Sequence, residues 1–149
     1  MNIEPVADIA EVMALLERNG LPTADLSPAS GVRFFGIRDA GPLVAVIGLE
    51  AHAPAGLLRS LAVVPESRQR GIGRALVACV EAHALTLGVD TLYLLTTTAE
   101  TWFHRRGYEA AARDDAPPAI RASAQFAALC PASSAFLKKS LAAPSGPSA

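Results

Sequence analysis

The stretch that decides the fold is LLRSLAVVPESRQRGIGRALVACVEAHALTLGVDTLYLLTT, residues 57 to 97. LLRSLAVV (57–64) is almost entirely apolar, which predicts a strand buried on both faces, and TLYLLTT (91–97) predicts another. Between them, apolar residues recur at helical spacing from 71 to 87, and Gly88 ends the run. A strand, a helix and a strand in this order form a βαβ unit, so the two strands should be parallel.

Composition indicates a globular chain with a sizeable apolar core. The 149 residues fit one domain, and with 51% hydrophobic and 18% charged residues the chain is not expected to be disordered. Thirteen Lys and Arg against fourteen Asp and Glu give a net charge of −1, which leaves no basic excess for nucleic-acid binding. No apolar run approaches the roughly 18 residues of a membrane span, and the N-terminus has no apolar signal core. We therefore expect a cytoplasmic protein.

Further strands and helices are predicted on both sides of the βαβ unit. In chain order they are a strand at 1–5, a helix capped by Asp8 and ended by Gly20, a loop at 22–31, strands at 32–39 and 43–52, a short helix at 99–107, helical residues around 119–129 and a strand at 133–141. This order predicts an α/β (α+β) fold, with a mixed central sheet of about six to seven strands and helices on both faces. We expect one domain over residues 1–141 and a flexible tail at 142–149.

The segment RQRGIG (68–73) lies between the buried strand and the helix that follows it. Glycines allow a sharp turn and a close approach, and the first N–H groups of a helix have no intrahelical partner. With Arg68, Arg70 and Arg74 nearby, the turn is suited to a phosphate or pyrophosphate. The alternative is a glycine-assisted connection with solvated arginines, and G-x-G by itself does not decide between the two.

R-x-x-G-x-G after a strand ending in V-P-E, together with LYLLTT followed by AETWFHRRGY, resembles the GNAT N-acetyltransferase superfamily over about residues 1 to 140. The resemblance implies the GNAT fold, acetyl-CoA as co-substrate and no metal. It implies that backbone amides of the turn hold the pyrophosphate and that the preceding strand, through Leu61, Ala62 and Val63, pairs with the pantetheine arm. The turn residues are Arg68, Gln69, Arg70, Gly71, Ile72, Gly73 and Arg74.

Three longer stretches are similar to the GNAT proteins of bacterial arsenic-resistance operons: residues 57–78, 92–108 and 117–139. A related branch of that group acetylates the amino group of arsinothricin and phosphinothricin, which are glutamate-like antibiotics. The resemblance therefore implies an amino-acid-like amine as acceptor. The two cysteines, Cys79 and Cys130, are too few for a three-thiolate arsenite site within one chain.

Many GNAT members have a tyrosine, acting as general acid, four residues before the closing glycine of the last motif. This chain has Phe103 at that position, and a phenyl ring cannot donate a proton. We interpret Phe103 as a core aromatic that lines the acetyl-CoA tunnel. Coenzyme A thiolate is a fair leaving group, so turnover does not require this acid. Weaker substitutes are Tyr93, Tyr108 and the threonines at 96–98.

Glu50 is the candidate general base, because it ends an apolar strand beside which GNAT acceptors enter; an ordinary strand-end carboxylate is an equal alternative. Arg59 is a charge inside an apolar strand. It lies either at an exposed strand end or in the acceptor cleft, where it would pair with an anionic group of the substrate or with Glu50. Arg33 has the same two interpretations, and Thr96 is a further candidate for substrate binding.

The expected partner is a small-molecule amine, with no nucleic acid and no membrane, and a homodimer stays open. Two other functions remain as alternatives. The first is a non-catalytic acetyl-CoA-binding module, which Phe103 suggests. The second is a transferase for protein N-termini or lysines, which the near-neutral charge does not favour.

Overall fold

The computed structural model describes residues 2–27, 29–68, 70–129 and 133–141. Its strands are β1 (Ile3–Pro5), β2 (Arg33–Arg38), β3 (Leu43–His52), β4 (Ala55–Val63), β5 (Thr91–Thr96), β6 (Glu109–Ala110) and β7 (Ala135–Ser140). Its α-helices are α1 (Ile9–Arg18), α2 (Ile72–Thr86), α3 (Glu100–His104) and α4 (Pro118–Arg121). Short 3-10 turns cover Pro65–Ser67 and Arg113–Asp115, and a π-helical turn covers Gln125–Leu129. The tail predicted at 142–149 lies outside the described residues.

The strands form one mixed sheet in the order β1-β2-β3-β4-β5-β7-β6. Only β4 and β5 are parallel among the strand pairs with a described register, and they pair from Ala55↔Thr91 to Leu57↔Tyr93. The intervening helix α2 explains the parallel arrangement, because a crossover connection is needed to bring the chain back in the same direction. The predicted α/β class, the strand number and the βαβ unit are confirmed.

Local signals set the ends of the first elements. The Asp8 carboxylate accepts a hydrogen bond from the Glu11 N–H at 3.2 Å, and Gly20 has φ +73° beyond the helix end. The hairpin between β2 and β3 turns through Ala40 and Gly41, which both have positive φ. These segments therefore fold as predicted.

Two compact units share the chain. The first unit contains residues up to Glu50 and Leu58–Val80, and the second contains Ala51–Leu57 and residues from Glu81 onward. One hydrophobic cluster of the first unit contains Val6, Val12, Leu15, Leu16, Leu26, Phe34, Leu43, Val46 and Ala62. A cluster of the second unit contains Ala55, Leu57, Ala116, Ile120 and Phe136. Within the described ranges, no helix combines the length and the apolar character that crossing a membrane requires.

Candidate active site

The turn between β4 and α2 has open space beside it. Gly71 has φ +76°, a conformation that favours glycine, and α2 starts at the next residue, Ile72. A Cβ built on Gly71 would meet nothing within 4 Å. The first N–H groups of α2 have no intrahelical acceptor and lie at the positive end of the helix dipole. The residues of this turn therefore fit an anion such as a phosphate.

The arginines around the turn have different surroundings. Arg68 Nε donates to the Val63 carbonyl and Arg68 Nη2 to Asn19 Oδ1, both at 2.9 Å, so this side chain ties the turn to the end of α1. Arg70 and Arg74, like Arg68, are exposed. Gln69, which the resemblance assigns to the same turn, lies outside the described residues. All three arginines therefore present positive charge to solvent, and Arg68 in addition anchors the turn to α1.

The backbone of β4 leaves the regular strand conformation at Ser60, where φ is +60°. Residues other than glycine rarely adopt a positive φ, and backbone strain of this kind is concentrated at functional sites. After it, Leu61 and Val63 are half-buried and Ala62 is 5% exposed. These three are the residues that the resemblance assigns to the pantetheine arm.

Arg59, Asp25 and Glu50 form an ion-pair cluster in the first unit, here named the Arg59 cluster. Arg59 Nη1 donates to Asp25 Oδ2 at 2.5 Å and to Glu50 Oε2 at 2.8 Å, and Nη2 donates to Asp25 Oδ1 at 2.9 Å. Arg59 Nε donates to Ser60 Oγ at 3.0 Å. The Arg59 side chain is 0% exposed, so the interpretation that it lies at an exposed strand end is wrong.

Ion pairing shifts the pKa values of Asp25 and Arg59 so that both groups stay charged. Hydrogen bonds from Arg59 hold the pKa of the Asp25 carboxyl below its usual value, more strongly than burial raises it. Burial alone would lower the Arg59 pKa, but its hydrogen bonds to Asp25 and Glu50 raise it on balance.

The substrate-anchor role predicted for Arg59 would require a ligand to displace one of these carboxylates. Asp25 was missed in the sequence because it lies in a loop without periodicity, but a buried arginine needs such a partner.

Phe103 lies in an aromatic group of the second unit. It is 6% exposed and makes edge contacts with Trp102, at 4.9 Å between ring centroids, and with Tyr108, at 5.6 Å. The ring is therefore packed as a core residue. Its predicted contact with acetyl-CoA stays a prediction.

Tyr108 belongs to a second polar cluster with Glu81 and Lys139, here named the Glu81 cluster. Tyr108 Oη donates to Glu81 Oε2 at 2.9 Å, and Lys139 Nζ lies 3.1 and 3.0 Å from the two carboxylate oxygens. Burial, and secondarily the Glu81 charge, raise the Tyr108 pKa well above its usual value. A buried phenol that already donates to a carboxylate is poorly suited to protonate a leaving thiolate.

The other residues predicted for the site lie on β2 and β5. Arg33 is exposed at the start of β2, opposite Leu49 of β3. Thr96 ends β5, and its hydroxyl accepts a hydrogen bond from the Ala99 N–H at 3.0 Å. Tyr93 stacks on Phe136 at 5.5 Å. Among the described residues, no group of three or more His, Cys, Asp or Glu side chains could hold a metal ion.

Comparison with known proteins agrees with this geometry. Residues 30–110, more than half of the chain, match the model of the acetyltransferase (GNAT) domain. The amino-acid acetyltransferases of Pseudomonas syringae pv. syringae and Pseudomonas putida (strain GB-1) are each 33% identical, over 122 and 127 residues. These matches cover 78% and 82% of this chain but 28% and 29% of the relatives, so the chain spans less than a third of their length.

Solved structures share the fold. N-acetylglutamate synthase from Neisseria gonorrhoeae, complexed with coenzyme A and N-acetyl-glutamate, is similar with a TM-score of 0.76 and 24% identity over 95% of this chain and 35% of that chain. Tetrahymena GCN5 is similar with a TM-score of 0.76 and 12% identity over 95% and 96% of the two chains. With the domain match over residues 30–110 and the open turn before α2, the chain belongs to the GNAT acetyltransferase family.

Proposed function

We propose that this protein is an acetyl-CoA-dependent N-acetyltransferase that moves an acetyl group to the amine of a small molecule. The observation that carries the proposal is the turn before α2, where Gly71 at φ +76° leaves open space beside the helix start. The turn falls inside the region that matches the family. Its amides and the exposed Arg70 and Arg74 would hold a pyrophosphate.

Acetyl-CoA supplies the acetyl group as an activated thioester. The turn residues from Gln69 to Arg74 would hold its pyrophosphate, and the β4 backbone at Leu61, Ala62 and Val63 would pair with its pantetheine arm. A backbone N–H of β4 would polarise the thioester carbonyl. Phe103 would contact acetyl-CoA through its ring and donate no proton.

The acceptor that we propose is an amino-acid-like amine. The relatives are named amino-acid acetyltransferases, and one structural neighbour was solved with N-acetyl-glutamate. The resemblance to proteins of arsenic-resistance operons narrows the proposal to arsinothricin- or phosphinothricin-like compounds in a cytoplasmic resistance function. Arg33 and Thr96 are the proposed peripheral contacts. Glu50, 13% exposed at its side chain, would take the amine proton.

Binding of acetyl-CoA is tested by the substitution Gly73→Asp. It adds a side chain and a negative charge to the first turn of α2, and we expect acetyl-CoA affinity measured by calorimetry to be lost. The matched control is Ala78→Asp, which adds the same charge to an exposed position further along the helix and should bind normally. Unchanged affinity in Gly73→Asp would contradict the proposed site.

Catalysis is tested by following thiol release with acetyl-CoA and a panel of amines. Amino acids and phosphinothricin-like compounds should support release, whereas peptides with free N-termini or lysines should not. Phe103 favours one alternative, an acetyl-CoA-binding module without catalysis. Normal acetyl-CoA binding without thiol release for any amine would establish that alternative.

A further inference from the structure

The guanidinium of Arg68 is held by two uncharged groups. Its Nε donates to the Val63 carbonyl and its Nη2 to Asn19 Oδ1, both at 2.9 Å. Arg38 and Arg59 are paired with carboxylates instead. A carbonyl or amide oxygen fixes a guanidinium through hydrogen bonds but leaves its charge uncompensated. Arg68 is therefore fixed in position and still able to attract an anion.

Asn19 is itself held from two directions. It is the C-cap of α1, and its backbone N–H donates to the Leu16 carbonyl at 3.0 Å. Its side-chain Nδ2 donates to the Leu15 carbonyl at 2.9 Å. Because the amide nitrogen is engaged there, Oδ1 is the atom that accepts from Arg68. Leu15 and Leu16 are fully buried, so this support rests on the core of the first unit.

Arg68 begins the turn that is suited to an anion. In the same turn Gly71, at φ +76°, leaves open space beside the start of α2. A guanidinium that is already ordered loses less conformational entropy on binding a phosphate than one that moves freely in solvent. The contact between Asn19 and Arg68 therefore favours anion binding at the turn before any ligand arrives.

We propose that Asn19 is a positioning residue for the pyrophosphate of acetyl-CoA, and that it acts through Arg68 by fixing the guanidinium without neutralising it. This inference rests on the proposed N-acetyltransferase function. It adds to the acetyl-CoA site a residue at the end of α1, which lies outside residues 30–110 that match the family. The uncharged amide is the essential property of Asn19, because it combines support with an uncompensated positive charge.

A structural role for Asn19 is the alternative, because asparagine is frequent at helix ends. Arg68 would then be no more than a solvated partner of the cap. The two roles differ in what the substitution Asn19→Asp does. It keeps an oxygen that accepts from Arg68 but places a negative charge against the guanidinium. The support therefore stays, and the positive charge available to a phosphate is removed.

Asn19→Asp should separate stability from affinity. The thermal midpoint should change little, because the new ion pair with Arg68 offsets the lost hydrogen bond to the Leu15 carbonyl. Acetyl-CoA affinity, measured by calorimetry, should fall about tenfold, because the carboxylate neutralises Arg68. KM for acetyl-CoA should rise by a similar factor with kcat unchanged. Unaltered affinity would show that Asn19 serves the helix end alone and would overturn the proposal.

Asn19→Ala and Arg68→Ala form a double-mutant cycle that tests the proposal even if Asn19→Asp does not fold. Asn19→Ala should weaken acetyl-CoA binding about threefold in the wild-type background and not at all when Arg68 is already alanine. Equal losses in both backgrounds would show that Asn19 does not act through Arg68, which would overturn the proposal.

The matched control is Ala24→Asp, which adds the same negative charge at an exposed position in the loop after α1. It should bind acetyl-CoA with wild-type affinity, because Ala24 has no side chain that supports Arg68. A loss equal to that of Asn19→Asp would show general repulsion of the ligand by the added charge and would overturn the proposal.

Ionic strength gives a second measure of the charge on Arg68. Raising the salt concentration from about 50 to 500 mM should weaken acetyl-CoA binding less in Asn19→Asp than in wild type, because one attracting charge is already neutralised. The outcomes also separate this inference from the proposed function. A wild-type protein that does not bind acetyl-CoA overturns both. An active wild-type protein whose acetyl-CoA affinity is unaffected by Asn19→Asp and Asn19→Ala overturns the inference alone.

Discussion

The Arg59 cluster and the Glu81 cluster are built from similar groups but differ in the burial of the cation. In the Glu81 cluster one carboxylate lies between a phenol and a lysine whose side chain is 27% exposed. In the Arg59 cluster the cation is fully buried and is bound by two carboxylates that reach the surface. The Glu81 cluster joins β7, α2 and the residue before β6. A fully buried cation depends on its partners more strongly than a partly solvated one, and buried ionised groups are common at functional sites.

The largest difference between the clusters should be seen when each loses its cation. Arg59→Met leaves two carboxylates without their buried partner and should lower the free energy of unfolding by about 3–5 kcal/mol. Lys139→Met leaves Glu81 bonded to Tyr108 and partly solvated, so about 1 kcal/mol should be lost. Urea unfolding measures both. Equal losses would contradict the distinction between the two clusters.

Phe103→Ala tests the aromatic side of the Glu81 cluster. Removing a ring that contacts Tyr108 leaves a cavity and should cost about 3 kcal/mol of stability. Phe103→Tyr should change turnover only modestly, because we expect the coenzyme A thiolate to leave without an acid at this position. Thermal unfolding and thiol release, measured on the same samples, test the expected stability and the expected turnover. Loss of catalysis in the alanine variant with unchanged stability would reject the packing role.

Asp25→Asn should remove a contribution to stability that depends on pH. Because the folded pKa of Asp25 is lowered, its contribution is present above the unfolded value of about 3.9 and is lost as pH falls through the folded value. At pH 7 the variant should be less stable than wild type by about 2 kcal/mol. The difference should shrink below about pH 4. Urea titrations from pH 3 to 7 measure it, and a constant difference would argue against the ionic contribution.

The smallest effect is expected from Tyr108→Phe. It removes the hydroxyl that donates to Glu81 but leaves Lys139 in place, so about 1 kcal/mol should be lost. Turnover should be unchanged, since this hydroxyl is already engaged by Glu81. A kcat that falls much more than stability would restore Tyr108 as a proton donor.

Elements with strong periodicity or clear end signals were predictable from the sequence. The βαβ unit, the first helix with its Asp8 cap and the hairpin follow local rules, because apolar spacing and turn residues act within a few positions. The two-residue strand β6 was not predicted, because it is too short to show a period. The helical stretch around 119–129 was predicted, but its division into α4 and the π-helical turn at Gln125–Leu129 was not.

The candidate site was predictable only in part, because some of its contacts join residues that are far apart in the sequence. Glu50 and Arg59 were noticed because charges interrupt apolar strands, and Glu50 was named as one partner for Arg59. Asp25 is 34 residues from Arg59 in sequence, and only the tertiary structure brings them together. The positive φ of Ser60 has no sequence signal either, since glycine would be the expected residue there.

The division of the chain between the two compact units has a consequence for how the protein can be made. The chain passes between them after Glu50, after Leu57 and, within α2, after Val80. A fragment that starts at residue 81 would therefore lack Ala55–Leu57, the segment that pairs with β5. During synthesis that segment leaves the ribosome about 35 residues before its parallel partner and must wait for it. No single cut yields both units complete, so expression of this protein as two separate halves should fail unless the fragments are combined.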